Sequence, residues 1–243
     1  MRKRINNYED VLPKNPYIYK VETHLHTSQA SACGTGTGAQ MARFAKYAGY
    51  CAIVVTDHFF NGNTAIRGDY SWDEKISMFM QGYNDAKQEG DNVGISVYFG
   101  FEYNYHGAEF LIYNYGEEKL RAYPEIMTDG IEKVLTNIKN DGGFIIHAHP
   151  FREAPYIWEP GKVFPDYTDG VEIVNFHNTK EANRRALEYA EKYNLIKFGG
   201  SDTHSIYPCD GGMAFLRCPQ SIDDIIEMAK KDECIIIGEE YIY

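Results

Sequence analysis

Short apolar runs alternate along the chain with stretches whose apolar residues recur at helical spacing. Val171–Phe176 reads as a strand ending at His177, and Cys51-Ala-Ile-Val-Val-Thr-Asp-His58 and Phe144-Ile-Ile-His-Ala-His-Pro150 are near-continuous apolar segments that close in polar residues. That is the pattern of strands buried on both faces in a parallel sheet. The spacing predicts further strands at Ile18–His24, Ile95–Tyr103, Phe110–Tyr113 and Ile196–His204, with short ones at Gly212–Leu216 and Cys234–Ile237. Helices are expected over Ala39–Tyr47, Asp73–Glu89, Thr128–Lys139, Glu181–Tyr193 and Ser221–Lys231. The first carries Met41, Phe44, Ala45 and Ala48, and the third Ile131, Val134, Leu135 and Ile138, on one stripe. Gly49 and Asp141-Gly-Gly143 stop them, and Ser221 opens the last as an N-cap. Residues 1–17, with Pro13 and Pro16, read as an irregular lead-in.

Strand and helix alternate throughout, which implies a mostly parallel sheet covered by helices. With about seven such units and no glycine fingerprint opening a helix, a closed or nearly closed barrel is preferred to an open sheet. Residues 1–243 are read as a single domain.

Composition narrows the function. A hydrophobic content of 44% supplies a sizeable core, and 24 Lys plus Arg against 35 Asp plus Glu gives a net charge of −11. Such a balance disfavours long nucleic acid and anionic lipid as partners. The five cysteines, Cys33, Cys51, Cys209, Cys218 and Cys234, form no Cys-x-x-Cys pair and suit a reducing compartment better than a disulfide framework. No apolar stretch approaches the length of a membrane span, and Asn6, Asn7, Glu9 and Asp10 stand where a signal peptide would be apolar, so a cytoplasmic protein is expected.

The chemistry lies where the strands end. His24, His26, Asp57, His58, Glu102, His147, His149, His177, Asp202 and His204 all fall at or just beyond a strand terminus. In a β/α barrel these termini share one mouth. His24 and His26 sit on one side of a strand, because residues i and i+2 share a face. Imidazoles and carboxylates so placed are costly to bury without a metal or a hydrogen-bonded partner. Mixed nitrogen and oxygen donors suit manganese, zinc or iron, and their number implies two or three divalent ions.

The ordered set His24-x-His26, Thr56-Asp57-His58, Gly100-Phe-Glu102, Ala148-His149-Pro150 and Gly200-Ser-Asp202-x-His204 resembles the motifs of the PHP (polymerase and histidinol phosphatase) superfamily. The resemblance spans most of the chain. It implies a distorted seven-stranded β/α barrel of the TIM-like kind and phosphoester hydrolysis at a metal centre. By the same resemblance His24, His26, Glu102 and Asp202 surround a first ion, Glu102 bridges to a second that His149 helps hold, and His58 and His204 belong to a third. Family members commonly place another histidine or acidic ligand where this chain has Ser28-Gln-Ala-Ser-Ala-Cys33; Ala32 cannot bind metal, so Cys33 or water would have to complete that site. The remaining ligand of the second ion is Glu109, just before Phe110, or His106.

Outside that set, His147 is either a ligand or a core residue, and His177 touches substrate or faces solvent. Arg152 follows the His149 strand closely enough to grip a phosphate bidentately. Asp57 or His204 could protonate the leaving alkoxide, and Asp57 could instead orient a ligand. Tyr103, Tyr105, Tyr156 and Tyr207 could line a pocket for a ring. The expected activity is hydrolysis of a small phosphorylated metabolite or nucleotide through a hydroxide bridging the metals. An amide or ring C–N hydrolase and a non-catalytic metal-binding module are the alternatives.

Overall fold

The computed structural model describes residues 18–206 and 211–238; the expected lead-in at 1–17, Tyr207 and Cys209 lie outside them. Its strands are β1 (Tyr19–Leu25), β2 (Tyr50–Val55), β3 (Ser96–Tyr105), β4 (Ala108–Tyr113), β5 (Phe144–Ala148), β6 (Gly170–Asn175), β7 (Ile196–Gly200), β8 (Met213–Phe215) and β9 (Cys234–Ile236). The helices are α1 (Gly38–Tyr47), α2 (Trp72–Val93), α3 (Glu117–Ala122), α4 (Ile131–Asn140), α5 (Lys180–Tyr193) and α6 (Ile222–Lys230). Side chains cap several of them. Thr37 with Gln40 and Ser71 with Glu74 form capping boxes at α1 and α2, and Ser221 accepts from the Asp224 N–H at α6.

All nine strands among the described residues join one sheet in the order β7-β6-β5-β4-β3-β2-β1-β8-β9. The seven-stranded, mostly parallel barrel is therefore corrected to a mixed sheet. β4 runs antiparallel to β3 and β5, and β8 runs antiparallel to β1 and β9. The reversal at β4 has a local cause. Tyr105 pairs with Ala108 across a two-residue turn, His106-Gly107, in which both residues have positive φ, 55° and 93°. That is the hairpin turn that matches strand twist, and it leaves no room for a crossover helix. Where a helix was expected to begin at Thr128, α3 and a 3₁₀ turn at Pro124–Met127 come first, and α4 starts at Ile131.

The sheet curls until its two sides nearly meet. β8 pairs with β1 only at Tyr19–Val21. Beyond that point β1 is joined by the chain leaving β7: the His26 N–H donates to Thr203 O (3.0 Å) and the Thr203 N–H to His24 O (3.2 Å). This closure sets the first motif, His24-x-His26, beside the last, Asp202-x-His204.

Val21, Ala52, Val54, Leu111, Tyr113 and Ile146 belong to one buried core. Each such aliphatic side chain removed from water contributes about 1.5–3 kcal/mol, which holds the strand ends above in register. A second core, with Phe59, Phe79, Phe101 and Phe110, packs α2 and α4 against β3 and β4. Cys51 and Cys218 are bonded, across a separation of 167 residues. The expectation of unpaired thiols fails here because pairing depends on the return of β8 to the sheet, which Cys spacing does not report. No helix among the described residues is long and apolar enough to cross a membrane.

Candidate metal centre

His24 and His26 leave β1 with both rings buried, their Nε2 atoms 3.1 Å apart. Each ring is turned by a partner on its far side. His24 Nδ1 lies 3.0 Å from Glu172 Oε1, and His26 Nδ1 lies 3.0 Å from Ser31 Oγ. Ser31 donates its own proton to Asp57 Oδ1 (2.7 Å), so its oxygen accepts from His26. Both protons therefore sit on Nδ1. The two Nε2 atoms converge, an arrangement that repels unless a proton or a metal ion lies between them.

Glu102 enters from β3, fully buried, with Oε1 3.1 Å from His149 Nε2 and 3.4 Å from His24 Nε2. Its Oε2 is 2.6 Å from His58 Nδ1, yet neither atom has a hydrogen-bond partner in acceptable geometry. Asp202 Oδ1 lies 3.1 Å from His26 Nε2 and 3.3 Å from His24 Nε2. Glu109 Oε2 is 3.7 Å from His149 Nε2. Four overlapping sets bring their donor atoms within 4.8 Å of one another: His26, His58, His204; His24, His149, Asp202; His24, His26, Glu102; and His58, Glu102, Glu109.

The electrostatics point to a positive occupant. Burial disfavours the charged form of His24, but Asp202, Glu172 and Glu102 hold its pKa well above 6.5. At His58 burial is likewise overcome, chiefly by Glu102, and the pKa rises to about 11. Burial would raise Asp202, but His24, His26 and Arg152 hold it well below the usual carboxylate range. A pocket that draws protons onto imidazoles this strongly offers the same field to a divalent ion. The converging bare acceptors and the orphaned Glu102 Oε2 fit such an ion.

Backbone strain marks the same place. His149 and Asp202 have φ of 29° and 56°, a region that costs non-glycine residues about 1–3 kcal/mol and persists where the surroundings impose it. For His149 the Glu172 carboxylate does so, accepting the His149 N–H at 3.0 Å. The kink also decides the fate of His147. Strand alternation, which would give it the direction of His149, ends before His149. His147 instead stacks on Phe110 (5.0 Å) and edges against Phe164 and Tyr189 in the core. Burial there lowers its pKa to about 3.

Of the two candidates near the β3–β4 turn, Glu109 reaches the cluster, whereas His106 stacks on Trp158 at 4.2 Å. Asp57 does not face the mouth. Its carboxylate accepts from the Thr27 N–H and Oγ1–H (both 2.6 Å) and from Ser31, which leaves it orienting His26 from behind. Helix α2 closes over this knot at Gly82, where a Cβ would stand 2.1 Å from Thr27 Oγ1. Arg152 reaches Asp202 Oδ2 at 2.6 Å and is also fixed by Asn175 (2.9 Å) and Asn178 (3.1 Å). His177 is exposed at the rim, its ring 6.1 Å from that of His204. His204 donates from Nδ1 to Asp202 O at 2.7 Å. A cavity of about 830 Å³ opens from these groups, lined by His58, Glu109, Arg152, Asp202 and His204.

Among families of known proteins, the PHP-associated model, PHP_C, matches residues 180–207, the stretch from α5 through Asp202 and His204. Solved structures with the same fold include a two-domain protein from Bacteroides vulgatus containing a predicted PHP-like metal-dependent phosphoesterase (15% identity, TM-score 0.66, 92% of this chain and 66% of that one). This chain thus spans just under two thirds of that protein's length. A candidate metal-dependent phosphoesterase from Bifidobacterium adolescentis is similar over 88% of this chain and 96% of its own (14% identity, TM-score 0.53). An amidohydrolase from Chromobacterium violaceum, solved with sulfate and without metal, is similar over 76% and 88% (13% identity, TM-score 0.52). No curated protein matches the chain.

Within this barrel, sequence reasoning missed the layer behind the cluster. Glu172 holds the His24 ring, the His149 N–H and Asn175 Nδ2. Glu22 accepts from the His24 and Ser201 N–H groups. Ser31 serves His26. The available signal was a carboxylate in the middle of each of two strands, Glu22 in β1 and Glu172 in β6, where one buried without partners is costly.

Proposed function

We propose that this protein is a metal-dependent phosphoesterase of the PHP superfamily, acting on a small phosphorylated metabolite or nucleotide. The observation that carries the reading is the setting of Arg152: its guanidinium is held on Asp202 at the edge of the converging His24, His26 and Glu102 acceptors and faces the same cavity. A cation pocket alone serves many hydrolyses. A fixed guanidinium beside it suits the tetrahedral, multiply charged oxygens of a phosphoryl group.

In this reading His24, His26, Glu102 and Asp202 would hold one divalent ion, Glu109 and His149 with Glu102 would hold a second, and His58 with His204 would hold a third. Manganese, zinc and iron all suit the donor set. Such ions supply Lewis acidity and make water nucleophilic near neutral pH. The remaining work falls to side chains. Arg152 binds the non-bridging oxygens and holds the phosphorus in line. His177 at the rim meets the substrate as it enters. His204, its Nδ1 proton committed to Asp202 O, presents Nε2 for proton transfer to the leaving alkoxide when it is not itself a ligand. Asp57 and Glu172 keep the His26 and His24 rings turned inward.

The amidohydrolase neighbour favours a second reading, hydrolysis of a C–N bond by the same centre. A screen of phosphate esters and amides with the protein loaded with manganese, zinc or iron separates the readings. Phosphate release is expected; turnover of amides alone would overturn the phosphoesterase, and turnover of nothing would leave a metal-binding module.

A further inference from the structure

Part of the cavity wall is aromatic and open. Trp158 is 73% exposed and Tyr156 48%, and both line the cavity that holds Glu109, Arg152 and His204. Large aromatic surface left in water beside polar reactive groups is the composition of a binding wall, whereas core aromatics are covered.

This wall is built from two fixed segments. The Trp158 N–H donates to His106 O (3.0 Å), and the His106 ring stacks on the indole at 4.2 Å with an interplanar angle of 22°. Tyr105 packs against the other side of His106, at 4.4 Å. The two segments can approach only because residue 107 is glycine: at its φ of 93°, a Cβ would stand 2.5 Å from Ile157 Cα. Tyr156 and Arg152 line the same cavity and interact electrostatically, which sets the wall beside the group that grips phosphate. A cavity of about 830 Å³ has space for a phosphate on the metal side and a ring on the aromatic side.

We infer that the substrate carries a planar aromatic ring, stacked against Tyr156 and Trp158 while its phosphate lies on the metal centre. The inference rests on the phosphoesterase reading for the phosphate end and on the wall alone for the ring. An apolar cleft of other composition would bind saturated and aromatic groups of one size alike. Here the faces of the indole and phenol add roughly two- to tenfold in affinity for a ring beyond the area it buries.

The test uses two probes of nearly equal size, benzylphosphonate and cyclohexylmethylphosphonate, neither of which can be hydrolysed. Their dissociation constants are measured by calorimetry on the manganese-loaded protein. The benzyl compound is expected to bind about two- to tenfold more tightly, and Trp158→Leu and Tyr156→Leu, both changes at exposed positions, should bring the ratio toward one. Equal affinities in the wild type, no binding of either probe, or a ratio unmoved by both substitutions would overturn the ring site. Calorimetry reads binding apart from turnover. A clear ring preference with no hydrolysis of benzyl phosphate therefore leaves the ring site standing while the phosphoesterase reading falls. Equal hydrolysis of benzyl and cyclohexylmethyl phosphates with equal phosphonate affinities does the reverse.

Discussion

Replacing Glu102 by Gln keeps the size of the side chain and removes its charge at the point where the cluster is densest. Its oxygens lie 3.1 Å from His149 Nε2, 3.4 Å from His24 Nε2, 2.6 Å from His58 Nδ1 and 3.6 Å from His26 Nε2. Asp202 also lies within 4.0 Å of four of these histidines, but Glu102 belongs to two of the four donor sets and joins the His24 and His26 side to the His58 and Glu109 side, so an ion held in either sits close to its carboxylate. Two unit charges about 4 Å apart interact by about 4 kcal/mol at an effective dielectric constant near 20. A divalent ion feels at least that much, which predicts a metal dissociation constant weaker by about three orders of magnitude. The assay strips the protein with a chelator and titrates it with manganese against a competing dye, following phosphate release in parallel. Far-ultraviolet circular dichroism checks that the fold survives. A Glu102→Gln protein that binds manganese within threefold of the wild type, or turns over at the full rate, would refute the placement of Glu102 at the centre.

Three further outcomes are expected. Arg152→Lys keeps a positive charge but loses the planar fork, so kcat/KM for phosphate esters should fall about 100-fold with metal content unchanged by elemental analysis; an unaltered kcat/KM would remove Arg152 from phosphate binding. Glu172→Gln leaves the His24 ring without its charged partner and should weaken metal binding about 10- to 100-fold in the same competition assay, while unchanged affinity would make Glu172 merely a strand residue. His147 is neutral in the fold, its pKa lowered from 6.5 to about 3 by burial and by His149. Between those values the unfolded chain binds a proton that the folded one does not, so stability is full above about pH 6.5 and falls by about 1.4 kcal/mol per unit as pH drops. His147→Phe abolishes that contribution. Its urea midpoint should decline less between pH 6.5 and 5, where His147 costs the wild type about 2 kcal/mol, and equal declines would contradict the account.

The strands that carry chemistry were legible because burial on both faces leaves a continuous apolar run, and polar residues closing such a run can only be at its end. Their directions were less so. Phe110–Tyr113 reads as a strand, but only the positive φ of His106 and Gly107 makes it turn back against β3, and His106 is not a residue that announces such a turn. Alternation placed His24 and His26 together correctly and misplaced His147 relative to His149, because it assumes extended backbone that ends before His149. The supporting layer was hidden for a different reason. Glu172 meets His24 across the barrel, 148 residues away, and Glu22, only two residues from His24, also holds the Ser201 N–H across 179 residues. No local spacing encodes a contact made by closure of the sheet. For Asp57 the sequence left proton transfer and the orienting of a ligand open, and its carboxylate, consumed by Thr27 and Ser31, takes the second.

The central claim is that the ends of distant strands jointly cage divalent cations. Crystals grown with manganese and measured at a wavelength where manganese scatters anomalously test it directly. The account predicts anomalous peaks within bonding distance of His24 Nε2, His26 Nε2, Glu102 and Asp202, with a second peak on the Glu109 and His149 side of Glu102. An anomalous map without a peak among these side chains, from crystals that hold manganese elsewhere, would contradict it.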